Sequence, residues 1–145
     1  MLAGPGIKGA TVKALVPFVA KLAEDLNDGS ERKQHRYHMM KGLADYYNIL
    51  ASAGDLLSAA EIFRLDEAVY MCTASYVWLA AWAVRSGLVR YNIVSKHHYF
   101  CHLPDISANT VNPRLVSTYV EESLVAQGFR PEHVRGNVRR SGCMD

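Results

Sequence analysis

The stretch AAEIFRLDEAVYMCTASYVWLAAWAVRSGL, residues 59–88, decides how this chain folds. It contains no charged residue between Ala68 and Val84. Trp78 and Trp82 are about one helical turn apart, so their rings project from the same side of a helix. Gly87 can adopt the left-handed conformation that often follows the last turn. The stretch therefore predicts one long apolar helix over about residues 59–86.

A helix that is apolar all round belongs in the centre of a bundle or in a membrane. The uncharged run is about 17 residues long, at the lower edge of what a bilayer requires. Arg85 and Arg90 follow it, as a positive cytoplasmic flank would. Thr73, Ser75 and the alanines make the run less lipophilic. We therefore expect a buried bundle helix, with a membrane span as the alternative.

The composition is that of an ordinary folded domain. The chain has 145 residues, of which 50% are hydrophobic and 21% charged, so one globular domain is expected rather than disorder. The formal net charge of +2 is too small to indicate nucleic-acid binding by itself. The amino terminus lacks the apolar block and cleavage pattern of a secretory signal.

The cysteine pattern argues for a reducing environment. Cys72, Cys101 and Cys143 have no CxxC spacing. Cys72 lies in the apolar run, which favours a free, buried thiol. We therefore expect an intracellular location in a reducing compartment.

Two helices are predicted before the central one. Residues 1–9 are rich in Gly and Pro and should be loose. Thr11 can cap a helix that runs to about Leu26, in which Pro17 predicts either a kink or a start near Val16. A second helix is predicted from the cap Ser30 to about residue 54.

The region after Gly87 is predicted to be less regular. Residues 89–94 are ambiguous between strand and helix. A short helix should follow from Ser95 to about Leu103, then a loop over residues 105–112. Asn112 and Pro113 should begin a last helix that ends before Gly128. The basic tail, residues 128–145, should be disordered. The whole pattern predicts an all-α protein, a single bundle of four to five helices over residues 10–127.

The second helix carries a basic first half. Its candidate contacts for nucleic acid or an acidic partner are Arg32, Lys33, Arg36 and Lys41. The alternative is an ordinary solvated face, because Glu31 and Asp45 dilute the positive charge.

A histidine pair offers the best candidate for metal chemistry. His98 and His102 have the helical spacing that lets two imidazoles reach one zinc ion. Glu122 would complete the set if the last helix packs against this face. The chain lacks the glutamate that zinc proteases carry beside the first histidine. The alternatives are interface histidines and, for Cys101, a packing residue rather than a reactive thiolate.

The segment from Lys96 to Glu122 carries a resemblance to a known family. KHHYFCHLP followed by NPRLVSTYVEE resembles the carboxy-terminal part of transposases of mobile elements, of the cut-and-paste kind with a ribonuclease-H fold. The matching positions are Lys96, His98, His102, Leu103, Tyr119, Val120 and Glu122. The resemblance implies that Glu121 or Glu122 is a late metal-binding carboxylate. No strand-borne pair of aspartates precedes it, although a two-metal site needs several carboxylates.

These observations predict a helical protein-interaction or assembly module without independent catalysis, and no catalytic residue is assigned. The resemblance implies that the module is a fragment of a mobile-element protein. Its expected interaction face is Tyr76, Trp78 and Trp82, because Trp and Tyr are enriched at buried interfaces. A protein partner or a homo-oligomer is expected, with no cofactor unless zinc binds at the histidines. One alternative is a nucleic-acid-binding accessory part of a transposase-like protein. Another is a small subunit of a membrane complex with one span at Ala68–Val84.

Overall fold

The computed structural model describes residues 9–115, with side chains from residue 13 onward. This range is all-α, as predicted, and contains five packed helices. They are α1 (Gly9–Asp25), α2 (Glu31–Ser52), α3 (Ala59–Arg85), α4 (Ser95–Cys101) and α5 (Leu103–Asn109), followed by one 3₁₀ turn at Pro113–Leu115. The predicted loose amino terminus, most of the predicted last helix and the predicted tail lie outside the described residues.

Both ends of α3 follow from local sequence. Ser58 and Glu61 form a capping box: Glu61 N donates to Ser58 Oγ at 3.3 Å, and Ser58 N donates to Glu61 Oε2 at 2.8 Å. At the other end Gly87 has φ 67°, and its N–H donates to Val84 O at 3.0 Å. Leu88 N donates to Ala83 O at 2.9 Å, which completes a Schellman motif. The predicted glycine stop is confirmed.

The sequence predicted that residues 59–86 form an enclosed, apolar helix. Helix α3 does not have this character. One of its faces is buried, while its first turns carry exposed charges and its opposite face exposes apolar side chains. No helix within residues 9–115 is long and apolar enough to cross a membrane, so the predicted alternative of a span at Ala68–Val84 is wrong. The physical reason is that Thr73, Ser75 and the tyrosines and tryptophans lower the mean hydropathy of that segment, which charged residues flank on both sides.

The core lies between α2 and α3. Tyr46, Ile49 and Leu50 of α2 pack against Leu65 and Val69 of α3. These side chains interleave along the inner faces of the two helices, at the spacing expected for amphipathic elements. The α2–α3 pair is therefore the scaffold that positions the remaining elements.

A glycine sets how closely α2 and α3 approach. A Cβ added at Gly42 would lie 2.6 Å from Ala68 O and 2.8 Å from Cys72 N, both backbone atoms. Backbone atoms cannot move aside as a flexible side chain would, so this crossing admits only glycine without a shift of the helices.

Asn112 fastens the chain to the end of α2. It is fully buried, and its Nδ2 donates to Leu50 O at 3.0 Å and to Gly54 O at 2.9 Å. Arg114 Nη1 donates to Ala51 O at 3.0 Å. These bonds satisfy carbonyls that a helix end leaves without partners. Asn112 Oδ1 also accepts from Arg114 N at 3.1 Å. Asn112 therefore has the predicted capping role and, in addition, joins this segment to the end of α2.

Helix α1 runs through Pro17, so of the two predicted alternatives, a kink or a start near Val16, the start is wrong. Two other local predictions were wrong. Most of the predicted loop at residues 105–112 is α5, because Pro104 occupies the first turn, where a missing N–H costs nothing. Ser95 is the first residue of α4 rather than its cap, and the cap is Val94.

Candidate functional site

Two of the three aromatic residues predicted as an interaction face contact α2. The Trp78 ring stacks on the His35 ring with centroids 4.1 Å apart and planes at 17°. The Arg32 guanidinium lies 4.9 Å from the centroid of the Trp82 ring. Both tryptophans are half-buried, so this side of α3 already has an intramolecular partner.

Tyr76, the third of these residues, lies in a different contact. Its hydroxyl donates to Asn92 O at 2.8 Å. Its ring meets those of Tyr91 and His97, with centroids 5.8 Å and 4.9 Å away. Tyr76 therefore holds the segment after α3 and the start of α4 against the central helix, apart from the two tryptophans.

A different face of α3 is open. Phe63, Tyr70, Val77 and Val84 recur every seven residues and are 63%, 72%, 47% and 77% exposed. Ala74 and Ala81, which lie between them on the same side, are exposed as well. We call this set of six residues the α3 stripe. The seven-residue interval was readable in the sequence, but nothing in the pattern favours this side of the helix over the tryptophan side.

The four basic residues of α2 do not share one open surface. Arg32 lies on Trp82, and Lys33 Nζ pairs with Asp28 Oδ2 at 2.7 Å. Lys41 Nζ pairs with Asp45 Oδ2 at 2.7 Å, which raises the pKa of Lys41 through that hydrogen bond. Arg36 Nε donates to Tyr91 Oη at 3.3 Å. Each cation is directed to a separate neighbour.

The histidine pair forms as the spacing predicted, without a complete ligand set. The rings of His98 and His102 meet edge to face with centroids 4.6 Å apart, and both side chains are exposed. His102 Nδ1 lies 4.0 Å from Asp105 Oδ2. Within residues 13–115 no three His, Cys, Asp or Glu side chains are grouped so as to hold a metal ion. Glu122, the third predicted ligand, and Glu121 lie outside the described residues.

The described cysteines differ in their surroundings. Cys72 is buried and free, as predicted, and burial raises the pKa of its thiol to about 11. Cys101 is exposed, and its Sγ donates to His97 O at 3.3 Å. Exposure of Cys101 is contrary to a packing role, whereas Cys72 is held as a neutral thiol inside the bundle.

A cleft of about 330 Å³ lies between α1 and α2. Its apolar walls come from Val19 and Leu22 of α1, from Leu26 just after α1, and from Met39 and Met40 of α2. The remaining lining residues are Ala23, Lys33, Arg36 and Tyr91. The sequence analysis did not find this cleft, because it depends on how α1 lies across α2.

Comparisons with protein-family models, with curated proteins and with solved structures found no match. The resemblance of Lys96–Glu122 to transposases therefore stays a prediction, and three of its seven matching positions lie beyond residue 115. Functional inference for this chain rests on the surfaces described above.

Proposed function

We propose that this chain is a helical assembly module that associates with a second copy of itself through the α3 stripe. The observation that carries the proposal is the row of exposed apolar side chains at Phe63, Tyr70, Val77 and Val84. Monomeric proteins rarely leave a contiguous apolar strip of this kind to water, and such strips mark interaction sites.

The spacing of the stripe is that of a helix–helix seam. Together with Glu67 and Leu88, its members fall at alternating intervals of four and three residues along α3. This alternation is the a/d repeat by which two helices pack side chains into each other's gaps. The partner that this spacing fits is another helix.

The sizes of the side chains favour an antiparallel second copy. With a two-fold axis between Ser75 and Tyr76, Tyr70 faces Ala81 of the other copy and Val77 faces Ala74. Each large side chain then meets a small one, and Phe63 meets Leu88 at the ends of the seam. A parallel pair would instead set Tyr70 against Tyr70 and Ala74 against Ala74, which leaves crowding beside gaps.

Charges at the two ends of α3 agree with the same arrangement. Asp66 and Glu67 lie near the first end of the stripe, and Arg85 follows its last member, Val84. An antiparallel pair brings Glu67 opposite Val84 of the second copy, beside Arg85. Helix macrodipoles also oppose each other in this orientation. A two-fold pair is closed, so assembly would stop at a dimer.

The test is the mass of the full chain in solution over a range of concentrations, measured by analytical ultracentrifugation. We expect a reversible dimer that Val77→Asp dissociates, because a carboxylate in the seam must be desolvated. Ile106→Asp is the matched control: Ile106 is 49% exposed, close to the 47% of Val77, and lies on α5 away from the stripe. This variant should dimerise as the parent does.

The orientation is tested by disulfide trapping in a background without Cys101 and Cys143. We expect chains carrying Tyr70→Cys to couple to chains carrying Ala81→Cys and not to one another. Self-coupling of the Tyr70→Cys chains would overturn the antiparallel arrangement. A chain that stays monomeric at every concentration, or a dimer that Val77→Asp leaves intact, would overturn the use of this face.

Nucleic-acid binding through Arg32, Lys33, Arg36 and Lys41 remains the rival proposal, and with it an accessory role beside a transposase-like protein. Its test is binding to duplex DNA at several salt concentrations, since phosphate contacts make affinity fall steeply with salt. A monomeric chain with steeply salt-dependent binding would favour that rival over assembly.

A further inference from the structure

The cleft between α1 and α2 has the lining of a site for an alkyl chain. Its walls are formed by aliphatic and methionine side chains, and its volume of about 330 Å³ lies in the range of small-molecule sites. From Val19 to Leu26 the α1 wall runs for roughly 10 Å, at 1.5 Å per helical residue. This length suits an alkyl chain of medium length lying along the helix.

The lining of the cleft includes two positively charged side chains. Arg36 and Lys33 both line it, but only Lys33 is neutralised, by Asp28 at 2.7 Å. The Arg36 guanidinium forms no ion pair with any carboxylate of residues 13–115, and its bond there is to the neutral hydroxyl of Tyr91 at 3.3 Å. Arg36 as a residue is half-buried, and its guanidinium beside apolar walls favours an anionic group, which it can hold with two parallel hydrogen bonds.

Tyr91 holds this cation in place. Its backbone is left-handed, with φ 57°, which is uncommon for a residue that is not glycine. Its ring rests edge-on against Tyr76, with centroids 5.8 Å apart. The hydroxyl of Tyr91 thereby accepts from Arg36 at the edge of the cleft, so the guanidinium is positioned before any ligand arrives.

We propose that this cleft binds a single-chain amphiphile with an anionic head group, taken up as a free fatty-acid anion, with the alkyl chain against α1 and the carboxylate on Arg36. The site shares no residue with the α3 stripe, so the proposal stands independently of dimer formation. The methionine side chains in the wall suit a flexible chain, because their unbranched thioethers adapt to its shape.

The experiment titrates the full chain with monomeric decanoate, below its micelle concentration, by calorimetry and by the methyl resonances of Met39 and Met40. We expect one bound decanoate per chain and shifts at both methyl groups. Each methylene removed from the probe should weaken binding about fourfold. Decanol and decyltrimethylammonium should bind at least about tenfold more weakly, because decanol has no negative charge to pair with the guanidinium and decyltrimethylammonium carries a charge of the same sign.

Two matched pairs of variants locate the site. Arg36→Gln should weaken decanoate about tenfold or more, whereas Arg32→Gln, on the same helix but on Trp82, should leave it unchanged. Leu22→Glu should abolish binding, because it places a carboxylate in the apolar wall. Leu15→Glu should not, since Leu15 is as exposed as Leu22, at 46% against 44%, and lies outside the cleft.

Several results would overturn the proposal. They are no binding of decanoate, equal binding of decanoate and decyltrimethylammonium, equal effects of Arg36→Gln and Arg32→Gln, and binding only to phosphatidylglycerol vesicles. The last result would mean that the cleft meets a membrane surface rather than a free fatty-acid anion.

Discussion

The two faces of α3 have similar chemistry and opposite surroundings. The face toward α2 is closed, with Leu65 and Val69 at 0% and 2% exposure. The face carrying Tyr70 and Val84 is open, although its side chains are equally able to fill a core. Burial along this helix therefore depends on which other elements pack against it: α2 covers one side, and no described element covers the other.

The largest expected contrast comes from truncating one leucine and one phenylalanine near the start of α3. Leu65→Ala should lower the free energy of unfolding by about 3 kcal/mol, because it removes buried methyl groups and leaves a cavity. Phe63→Ala should change it by less than about 0.5 kcal/mol, because Phe63 faces solvent in the monomer. Urea unfolding at a concentration where the chain is monomeric measures both. Equal losses would erase the distinction between the two faces.

A smaller loss of stability is expected when an added methyl group separates α2 from the closed face of α3. Gly42→Ala should lower the free energy of unfolding by about 2 kcal/mol, because the new methyl group meets backbone of α3. This loss exceeds the ~1 kcal/mol that alanine gains over glycine in a helix. Gly54→Ala is the control, since the atom nearest to a Cβ added there is Leu56 O at 3.8 Å, an ordinary contact distance. If Gly42→Ala were stabilising, the close crossing of α2 and α3 would be refuted.

The smallest effect, counted per pH unit, concerns a thiol on the closed face. Burial raises the pKa of Cys72 from its usual value of 9.0 to about 11. The folded state therefore keeps a proton that the unfolded state loses, so this contribution is complete below about pH 8.5 and is lost as the pH rises toward 11. The parent should lose up to ~1.4 kcal/mol per pH unit more than Cys72→Ala in that window.

The measured quantity for Cys72 is the slope of the unfolding free energy against pH, compared between the parent and Cys72→Ala. The cost of the deleted sulfur atom does not change with pH, and the titration of tyrosines is common to both proteins, so neither contributes to the difference in slope. If Cys72→Ala had the same slope as the parent, Cys72 would be in contact with water and the closed face of α3 would not be closed there.

Local rules were sufficient where an element is defined by its own residues. The glycine stop after α3 was correct because a left-handed residue is a property of Gly87 itself. The loop predicted at residues 105–112 failed because Pro104 can either end one helix or begin the next, and the spacing alone does not choose. The spacing of Ser58 and Glu61 in the sequence is that of a capping box, so the start of α3 could also have been predicted from local residues.

The candidate sites were predicted less well than the fold. The pairing of His98 with His102 follows from spacing within a short segment, and the structure has it. The tryptophan face was named from residue type, but His35 and Arg32 of α2 lie against it. The cleft beside Arg36 could not be predicted, since its walls come from two helices and a later segment that only folding brings together.

The sequence by itself determined that this chain is helical, where its main helices lie, and that Cys72 is a free, buried thiol. These properties follow from periodicity, from residues that start and stop helices, and from an uncharged run. Only the tertiary structure decided which side of α3 is closed, that Gly42 and Asn112 join distant segments, and that Arg36 borders a cleft. The physical reason is that hydropathy specifies how much surface should be buried, whereas contacts between residues far apart in sequence specify which surface is.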